Sequence, residues 1–116
     1  MKKSGMGSRI STVVLISGSG TNLQAIIDKV DQHQLPIEIT SVVSDNPNAY
    51  GLKRAEDAMI KTQIIDYDSF SNRVIFNKFL LQRIKESSPE LIVLAGYMRI
   101  LSDEFCHQFK GKILNI

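Results

Sequence analysis

The sequence predicts an α/β fold built on a doubly wound, mostly parallel sheet. Short apolar and β-branched runs alternate with segments of helical periodicity, which is the pattern of strands joined by crossover helices. Two of these runs, residues 12–16 (TVVLI) and 91–95 (LIVLA), place apolar side chains on both faces of a strand. Strands of this kind are covered by helices on both sides, as the central strands of a parallel sheet are.

The first half of the chain predicts two strand-and-helix units. After the first strand, at residues 12–16, apolar residues recur at the spacing of one helical face, at Leu23, Ile26, Ile27 and Val30. Residues 37–43 form the second predicted strand, and the polar cluster at 45–48 predicts a turn. A second helix follows, and its predicted inner face carries Leu52, Ala55 and Met59.

The second half continues the alternation. A short third strand is predicted at residues 62–65, and Ser71 or Asn72 can cap a third helix. The apolar residues of that helix predict one broad buried face, formed by Ile75, Phe76, Phe79, Leu80 and Ile84. The remaining predicted elements are a strand at 91–95, a loop, a short helix at 102–109 and a strand at 113–116.

The composition excludes several classes of protein. A net charge of +2, from 14 basic and 12 acidic residues, is too small for a nucleic-acid-binding surface. No apolar run approaches the roughly 20 residues of a membrane span, and no secretion signal is recognisable, so a cytoplasmic protein is expected. Cys106 has no metal-ligand spacing around it, and we expect it to be half-buried on a helix. His33 and His107 are expected at the surface.

Residues 1–9 are interpreted as a disordered N-terminal extension or a tag-like segment, and residues 10–116 as one nucleotide-binding region. No repeat or linker divides that region. The sequence stops inside a predicted apolar strand, which would leave a sheet edge uncovered. We therefore expect the chain to be part of a longer protein.

A candidate phosphate site lies between the first strand and the first helix, in the segment SGSGTN. Small residues there let backbone amides converge on an anion at the helix N-terminus. A dinucleotide loop would need glycine at Leu23, and a Walker loop would need lysine followed by serine or threonine. A monophosphate is thus the better candidate, with a tight turn as the alternative. Its predicted binding residues are Gly18, Ser19, Gly20, Thr21 and Asn22.

Five collinear segments resemble the phosphoribosylglycinamide formyltransferase family. Residues 14–26 (VLISGSGTNLQAI) resemble its ribonucleotide-binding loop, and residues 43–46 (VSDN) a loop where many members have Ser-Asn. Residues 49–55 (AYGLKRA) resemble its second helix, and residues 94–102 (LAGYMRILS) its folate-side loop. The final LNI resembles the start of its catalytic strand, so the likeness covers nearly all of the chain from residue 12.

The resemblance implies a Rossmann-like N-terminal half of an enzyme of de novo purine synthesis. The implied reaction moves a formyl group from 10-formyltetrahydrofolate to the amine of 5'-phosphoribosylglycinamide, without a metal. The residues implied for the folate side are Arg73, Met98, Arg99, Ile100, Leu101 and Asn115. Asn115 is also the implied catalytic residue, whose amide donates to the oxyanion on the formyl carbon.

The residues alone leave other interpretations open. Met98 and Ile100 can be core residues, Arg73 a solvated residue of a helical first turn, and Asn115 a buried structural hydrogen-bonding group. The family's Asn-x-His motif places its catalytic histidine one residue beyond Ile116, so we expect the 116-residue chain alone to be inactive.

Two other functions remain as alternatives. One is a formyltetrahydrofolate deformylase, which uses water as acceptor and whose first loop lacks the Gly-Ser-Gly-Thr-Asn pattern. The other is a noncatalytic nucleotide-binding module. The expected partners are small-molecule substrates, neither nucleic acid nor membrane, and the expected assembly is a monomer or homodimer.

Overall fold

The structure, a computed structural model, describes residues 9–116. Its strands and helices alternate along the chain as the sequence predicts. In order they are β1 (Ile10–Ile16), α1 (Thr21–Asp31), β2 (Ile37–Ser44), α2 (Tyr50–Asp57), β3 (Thr62–Ile64), a single 3₁₀ turn (Tyr67–Ser69), α3 (Arg73–Ser87), β4 (Leu91–Leu94), α4 (Asp103–Gln108) and β5 (Ile113–Asn115).

The five strands form one sheet in the order β3-β2-β1-β4-β5. Each neighbouring pair is parallel, which confirms the predicted doubly wound architecture. The chain winds outward from β1 on one side, through β2 to β3, and then crosses to β4 on the other side. The carboxyl ends of β1 and β4 therefore border a crevice of the kind in which open α/β sheets bind ligands.

Apolar cores cover both faces of the sheet because successive residues of β1 point to opposite sides. Val14 and Ile16 belong to the core under α1 and α2, which also includes Leu23, Ile26, Ile27, Leu52 and Ala55. Val13 and Leu15 belong to the core under α3 and α4, which also includes Phe76, Leu80, Leu81, Ile84 and Phe105. All four β1 residues have no exposed surface, as predicted for a central strand.

Side-chain caps fix the starts of two helices. The Asn72 side chain accepts a hydrogen bond from the amide of Ile75 at 3.0 Å, so the predicted cap of α3 is confirmed. Ser102 accepts one from the amide of Phe105 at 3.1 Å and begins α4. Each cap satisfies a backbone donor that the first helical turn leaves without a partner.

Three predicted buried positions are wrong. Met59 is 93% exposed because α2 ends at Asp57 and Met59 turns into the left-handed region with φ 62°. Ile75 and Phe79 are exposed by 47% and 41%. The stripe that α3 turns to the core advances four residues at a time through Phe76, Leu80 and Ile84, with Leu81 beside it, so the positions one residue earlier rotate toward solvent.

Cys106 is exposed on α4, so its predicted half-burial is wrong. Its neighbour Phe105 takes the buried position of that helix. His33 and His107 are exposed, as predicted. The predicted disordered extension lies outside the described residues except for Arg9, which is exposed.

The described part of the chain, residues 9–116, contains no helix that is long and apolar enough to cross a membrane. Within the same residues, no cluster of three His, Cys, Asp or Glu side chains is arranged to hold a metal ion.

Candidate functional site

The loops that follow β1 and β4 meet in a cleft at the carboxyl edge of the sheet. A cavity of about 110 Å³ is lined by the five predicted phosphate-site residues, Gly18, Ser19, Gly20, Thr21 and Asn22, together with Ala95, Gly96 and Met98. The two loops adjoin because β1 and β4 are parallel neighbours, with Leu15 opposite Leu94. The sheet thus brings the predicted phosphate loop beside part of the predicted folate-side loop.

Two glycines pack the first loop against the start of α2. Gly20 has φ 77°, and a Cβ atom there would lie 2.5 Å from the Cα of Gly51. The amide of Gly51 donates to the carbonyl of Gly18 at 3.0 Å. A side chain at either glycine would separate the loop from the helix, and Gly20 also needs a φ that other residues rarely adopt.

The carbonyls and the amides of the first loop differ in their hydrogen bonding. The carbonyls of Gly18, Ser19 and Gly20 accept from the Gly51 amide, from Arg54 Nε at 2.7 Å and from the Gln24 amide at 2.8 Å, respectively. By contrast, the amides of residues 18–22 donate to no other residue of the described range 9–116, and no side chain caps α1. The loop therefore offers free amides at the positive end of a helix dipole, an arrangement that binds anions.

Arg54 supports this loop from α2. Besides its bond to Ser19, its Nη1 lies 3.4 Å from Gln24 Oε1, and its guanidinium lies 5.0 Å from the centre of the Tyr50 ring. Sequence analysis assigned no role to Arg54 or Gly51, although both lie in the segment that resembles the family's second helix. Gly51 could have been noticed in the sequence, because glycine has low helix propensity and yet occupies the second position of a helix.

The second loop is tied to the first by Ser17. The Ser17 hydroxyl accepts from the Met98 amide at 2.8 Å, and the Ser17 carbonyl accepts from Asn46 Nδ2 at 3.3 Å. Met98 and Ile100 are 78% and 89% exposed, so core packing does not explain either residue. Leu101 is partly buried against the core under α3 and α4.

Arg99 crosses from the second loop to the loops that follow β2 and β3. Its Nε donates to Asp45 Oδ2 at 2.8 Å, and its guanidinium carbon lies 3.6 Å from the centre of the Tyr67 ring. The hydrogen bond that Arg99 donates to Asp45 raises the pKa of Arg99 further above its usual value. Arg99 and Asp45 border a cavity of about 290 Å³ that also has Ser17, Asn46, Asp66, Asp68 and Met98 in its walls.

Tyr97 is a poor candidate for a general base. Its hydroxyl is buried without a hydrogen-bonding partner among the described residues. Burial, and then the charge of Asp45, raise the pKa of Tyr97 well above its usual value. The phenol therefore keeps its proton at neutral pH.

Arg73 and Asn115 stand apart from both cavities. Arg73 is the first residue of α3, is exposed and lines neither cavity. Asn115 pairs with Leu94 at the carboxyl end of β5, and its side chain is exposed. Burial of the Asn115 carboxamide, the reason for expecting it to need a partner, is therefore not observed in this chain.

The family model for formyl transferases matches residues 10–116. The chain belongs to the formyl transferase family. Together with the relatives of that name described next, this match confirms the predicted fold and the resemblance to phosphoribosylglycinamide formyltransferases.

Similar proteins carry related names. A phosphoribosylglycinamide formyltransferase of Haemophilus influenzae is 45% identical over 103 residues, which are 89% of this chain and 49% of that protein. The solved structure of the enzyme of that name from Coxiella burnetii is 47% identical, with a TM-score of 0.85 over 92% of this chain and 50% of its own. The chain spans about half the length of the curated bacterial relatives it matches.

A formyltetrahydrofolate deformylase also shares the fold. The solved structure of such an enzyme from Pseudomonas putida is 27% identical, with a TM-score of 0.82 over 92% of this chain and 37% of its own. Proteins of both names therefore share this fold, and the fold alone does not distinguish them.

Proposed function

We propose that this protein is a phosphoribosylglycinamide formyltransferase, which transfers the formyl group of 10-formyltetrahydrofolate to 5'-phosphoribosylglycinamide in purine synthesis. The main support for this proposal is the hydrogen bonding of the first loop. Its three successive carbonyls accept hydrogen bonds from other residues, while the amides of residues 18–22 donate to no other described residue and lie beside the β4 loop. A deformylase, with water as acceptor, has no need of a phosphate site in this place.

The ribonucleotide phosphate is assigned to Gly18, Ser19, Gly20, Thr21 and Asn22. Their free amides lie at the start of α1, where the helix dipole favours negative charge. The exposed side chains of Thr21 and Asn22 add a hydroxyl and a carboxamide as further hydrogen-bonding groups. Together they would hold the substrate by its most charged end.

The formyl donor is assigned to the β4 loop, through the backbone of Met98, Arg99, Ile100 and Leu101, with Arg73 near the folate. The high exposure of Met98 and Ile100 supports this assignment, because the core does not account for them. With both substrates held at adjoining loops, the amine and the formyl carbon would meet as in an intramolecular reaction.

The chemistry begins with attack of the glycinamide amine on the formyl carbon, which puts negative charge on the formyl oxygen. Asn115 is proposed to donate its amide to that oxygen, from the same edge of the sheet as the two loops. Collapse of the tetrahedral intermediate would then break the bond between the formyl carbon and the folate nitrogen that carried it, so that tetrahydrofolate leaves. The family's histidine, which this sequence does not contain, would take part in moving the proton from the attacking amine to that nitrogen. No step of this reaction requires a metal.

The proposed partners are these two small molecules, with neither nucleic acid nor membrane, and the proposed location is the cytoplasm. The proposed assembly is a monomer or homodimer.

The test is an assay of the full-length protein with 10-formyltetrahydrofolate, with and without the ribonucleotide. Tetrahydrofolate should form only when the ribonucleotide is present, and mass spectrometry should detect the formylated ribonucleotide. Release of formate without ribonucleotide would identify a deformylase instead. Ribonucleotide binding without turnover of either kind would identify a binding module.

A further inference from the structure

We propose that Asp45, Tyr67 and Arg99 form a clamp that positions the β4 loop for the formyl donor. This inference rests on the proposed function of that loop. The clamp is a second restraint on the loop, next to the bond between the Met98 amide and Ser17 Oγ. Asp45 and Tyr67 would act as positioning residues, since neither belongs to the residues assigned to the donor.

The first half of the clamp is the pair between Arg99 and Asp45. The Asp45 side chain is 3% exposed and that of Arg99 is 40% exposed, and Arg99 Nε lies 2.8 Å from Asp45 Oδ2. The second carboxylate oxygen, Oδ1, is buried without a partner among the described residues. Arg99 is therefore the side chain that compensates this buried charge, and losing the contact would leave a buried carboxylate without a partner among the described residues.

The second half of the clamp is the Tyr67 ring, which lies under the guanidinium of Arg99 at 3.6 Å. Tyr67 is itself fixed at two points. Its amide donates to the carbonyl of Asp45 at 3.1 Å, and its ring packs edge-on against buried Phe76 at 4.9 Å between centres. A continuous set of contacts thus links the core under α3 to the exposed β4 loop.

The Arg99 side chain is poorly suited to bind an anionic ligand. Its Nε is occupied by Asp45 and one face of its guanidinium by Tyr67, while Asp66 and Asp68 lie in the walls of the same cavity. Three carboxylates and one guanidinium thus line this cavity, which disfavours the binding of a further negative group there. The charge of Arg99 is therefore used within the protein, to hold the loop whose backbone is assigned to folate.

The test compares Asp45→Ala with Asp45→Asn in the full-length enzyme. Asp45→Ala removes the acceptor of Arg99 Nε, and we expect KM for 10-formyltetrahydrofolate and Kd for tetrahydrofolate to rise about tenfold or more, as when a positioned group is misplaced. KM for the ribonucleotide should stay unchanged. Asp45→Asn keeps an oxygen acceptor of nearly the same shape and should restore most of the folate affinity.

The effects of substituting Arg99 and Asp45 should be coupled. Arg99→Ala should raise the same folate constants, and the double variant with Asp45→Ala should be no worse than the poorer single variant, since both remove one interaction. Tyr67→Leu, which keeps apolar bulk beside Phe76, should produce the same selective defect.

Arg83→Ala is the matched control. Arg83 also lies over an aromatic ring, at 5.0 Å from the centre of Phe79, and pairs with a carboxylate, Glu86, at 3.7 Å. It does so on α3 and lines neither cavity of the cleft. Folate affinity should not change in this variant.

Three outcomes would overturn the clamp. One is a folded Asp45→Ala variant with wild-type folate constants. Another is an Asp45→Ala variant in which kcat and the melting temperature fall while both KM values stay unchanged. That result would mean only that a smaller fraction of the protein is folded. The third is a wild-type enzyme that does not bind tetrahydrofolate. A wild-type enzyme that binds tetrahydrofolate but transfers no formyl group would refute the proposed function, while the change in tetrahydrofolate Kd would still decide on the clamp.

Discussion

At the scale of single residues, Gly20 has the strictest requirement in the cleft. It combines a left-handed φ of 77° with an approach to Gly51 that leaves no room for a Cβ atom. Gly18, in the same loop, has a φ outside that region and no atom within 4 Å of its would-be Cβ. The two glycines therefore serve different needs, and only Gly20 is required by the packing of the protein itself.

Gly20→Val should abolish ribonucleotide binding by the full-length protein. The added side chain would push α2 away from the loop, and the left-handed backbone should cost roughly 1–3 kcal/mol of stability. Isothermal titration and thermal melting measure the two effects. Gly111→Val is the matched control, because Gly111 has φ 79° with no atom within 4 Å and is expected to lose stability while keeping affinity. Wild-type affinity in Gly20→Val would show that the phosphate is bound elsewhere.

Asn115→Ala should reduce formyl transfer by the full-length enzyme by about 10² to 10³, the usual effect of losing one oxyanion donor. Ribonucleotide affinity should barely change, since the phosphate is assigned to the β1 loop. The Asn115 carboxamide is exposed and bonds to no other residue of the described range 9–116, so the change removes no hydrogen bond among them. Single-turnover kinetics and thermal melting should be measured on the same preparation.

If Asn115 has only a structural role, Asn115→Ala should lower stability and leave turnover unchanged. If the carboxamide bonded to a buried partner elsewhere in the full-length protein, its loss would lower stability by roughly 1–3 kcal/mol. Near wild-type turnover in a well-folded variant would rule out the oxyanion role.

At the scale of helices and strands, the sequence alone identified those elements that bury either one face or both faces. The central strands are apolar on both faces, and α1 has one apolar stripe, so their periodicity identifies them. α3 was harder because its apolar residues extend around the helix, from Val74 and Ile75 to Leu80 and Leu81. Which of them face the core depends on how the helix is rotated against the sheet, and periodicity does not specify that rotation.

The candidate site also has parts that the sequence reveals and parts that it does not. The loop between β1 and α1 could be identified from the sequence as a candidate phosphate site, because the features that suggest it are local: small residues and a helix start lie within six positions of the sequence. The residue pairs that support the two loops could not be predicted from the sequence. Arg54 and Ser19 are 35 residues apart, and Arg99 and Asp45 are 54 residues apart, so they meet only because the strand order places their loops side by side.

Asn72→Ala tests the cap of α3. Removing the acceptor for the Ile75 amide should lower the free energy of unfolding by about 1 kcal/mol. Chemical denaturation measures the loss. Ser71→Ala is the matched control, since Ser71 is exposed and caps no helix, and its stability should equal that of wild type. Equal midpoints for the two variants would mean that the cap contributes nothing in solution.

At the scale of the whole molecule, the strand order determines which loops can cooperate. Because β1 is central and β4 is its neighbour, the free amides of the first loop and the exposed backbone of the β4 loop share one edge of the sheet. The contacts of Arg54, Ser17 and Arg99 then hold these loops to their neighbours. The described residues are thus suited to positioning substrates, whereas they offer little for acid-base chemistry.

The 116-residue chain prepared alone should therefore show no measurable formyl transfer. His33 follows the end of α1, at the edge of the sheet opposite the cleft, and His107 is exposed on α4. Neither lines the cleft cavities, so neither replaces the family's histidine in moving the proton from the amine. The measurement is tetrahydrofolate production at high protein concentration, with the full-length enzyme as the positive control. Turnover by the short chain that persists through further purification would contradict the assigned roles and place the acid-base group among residues 1–116.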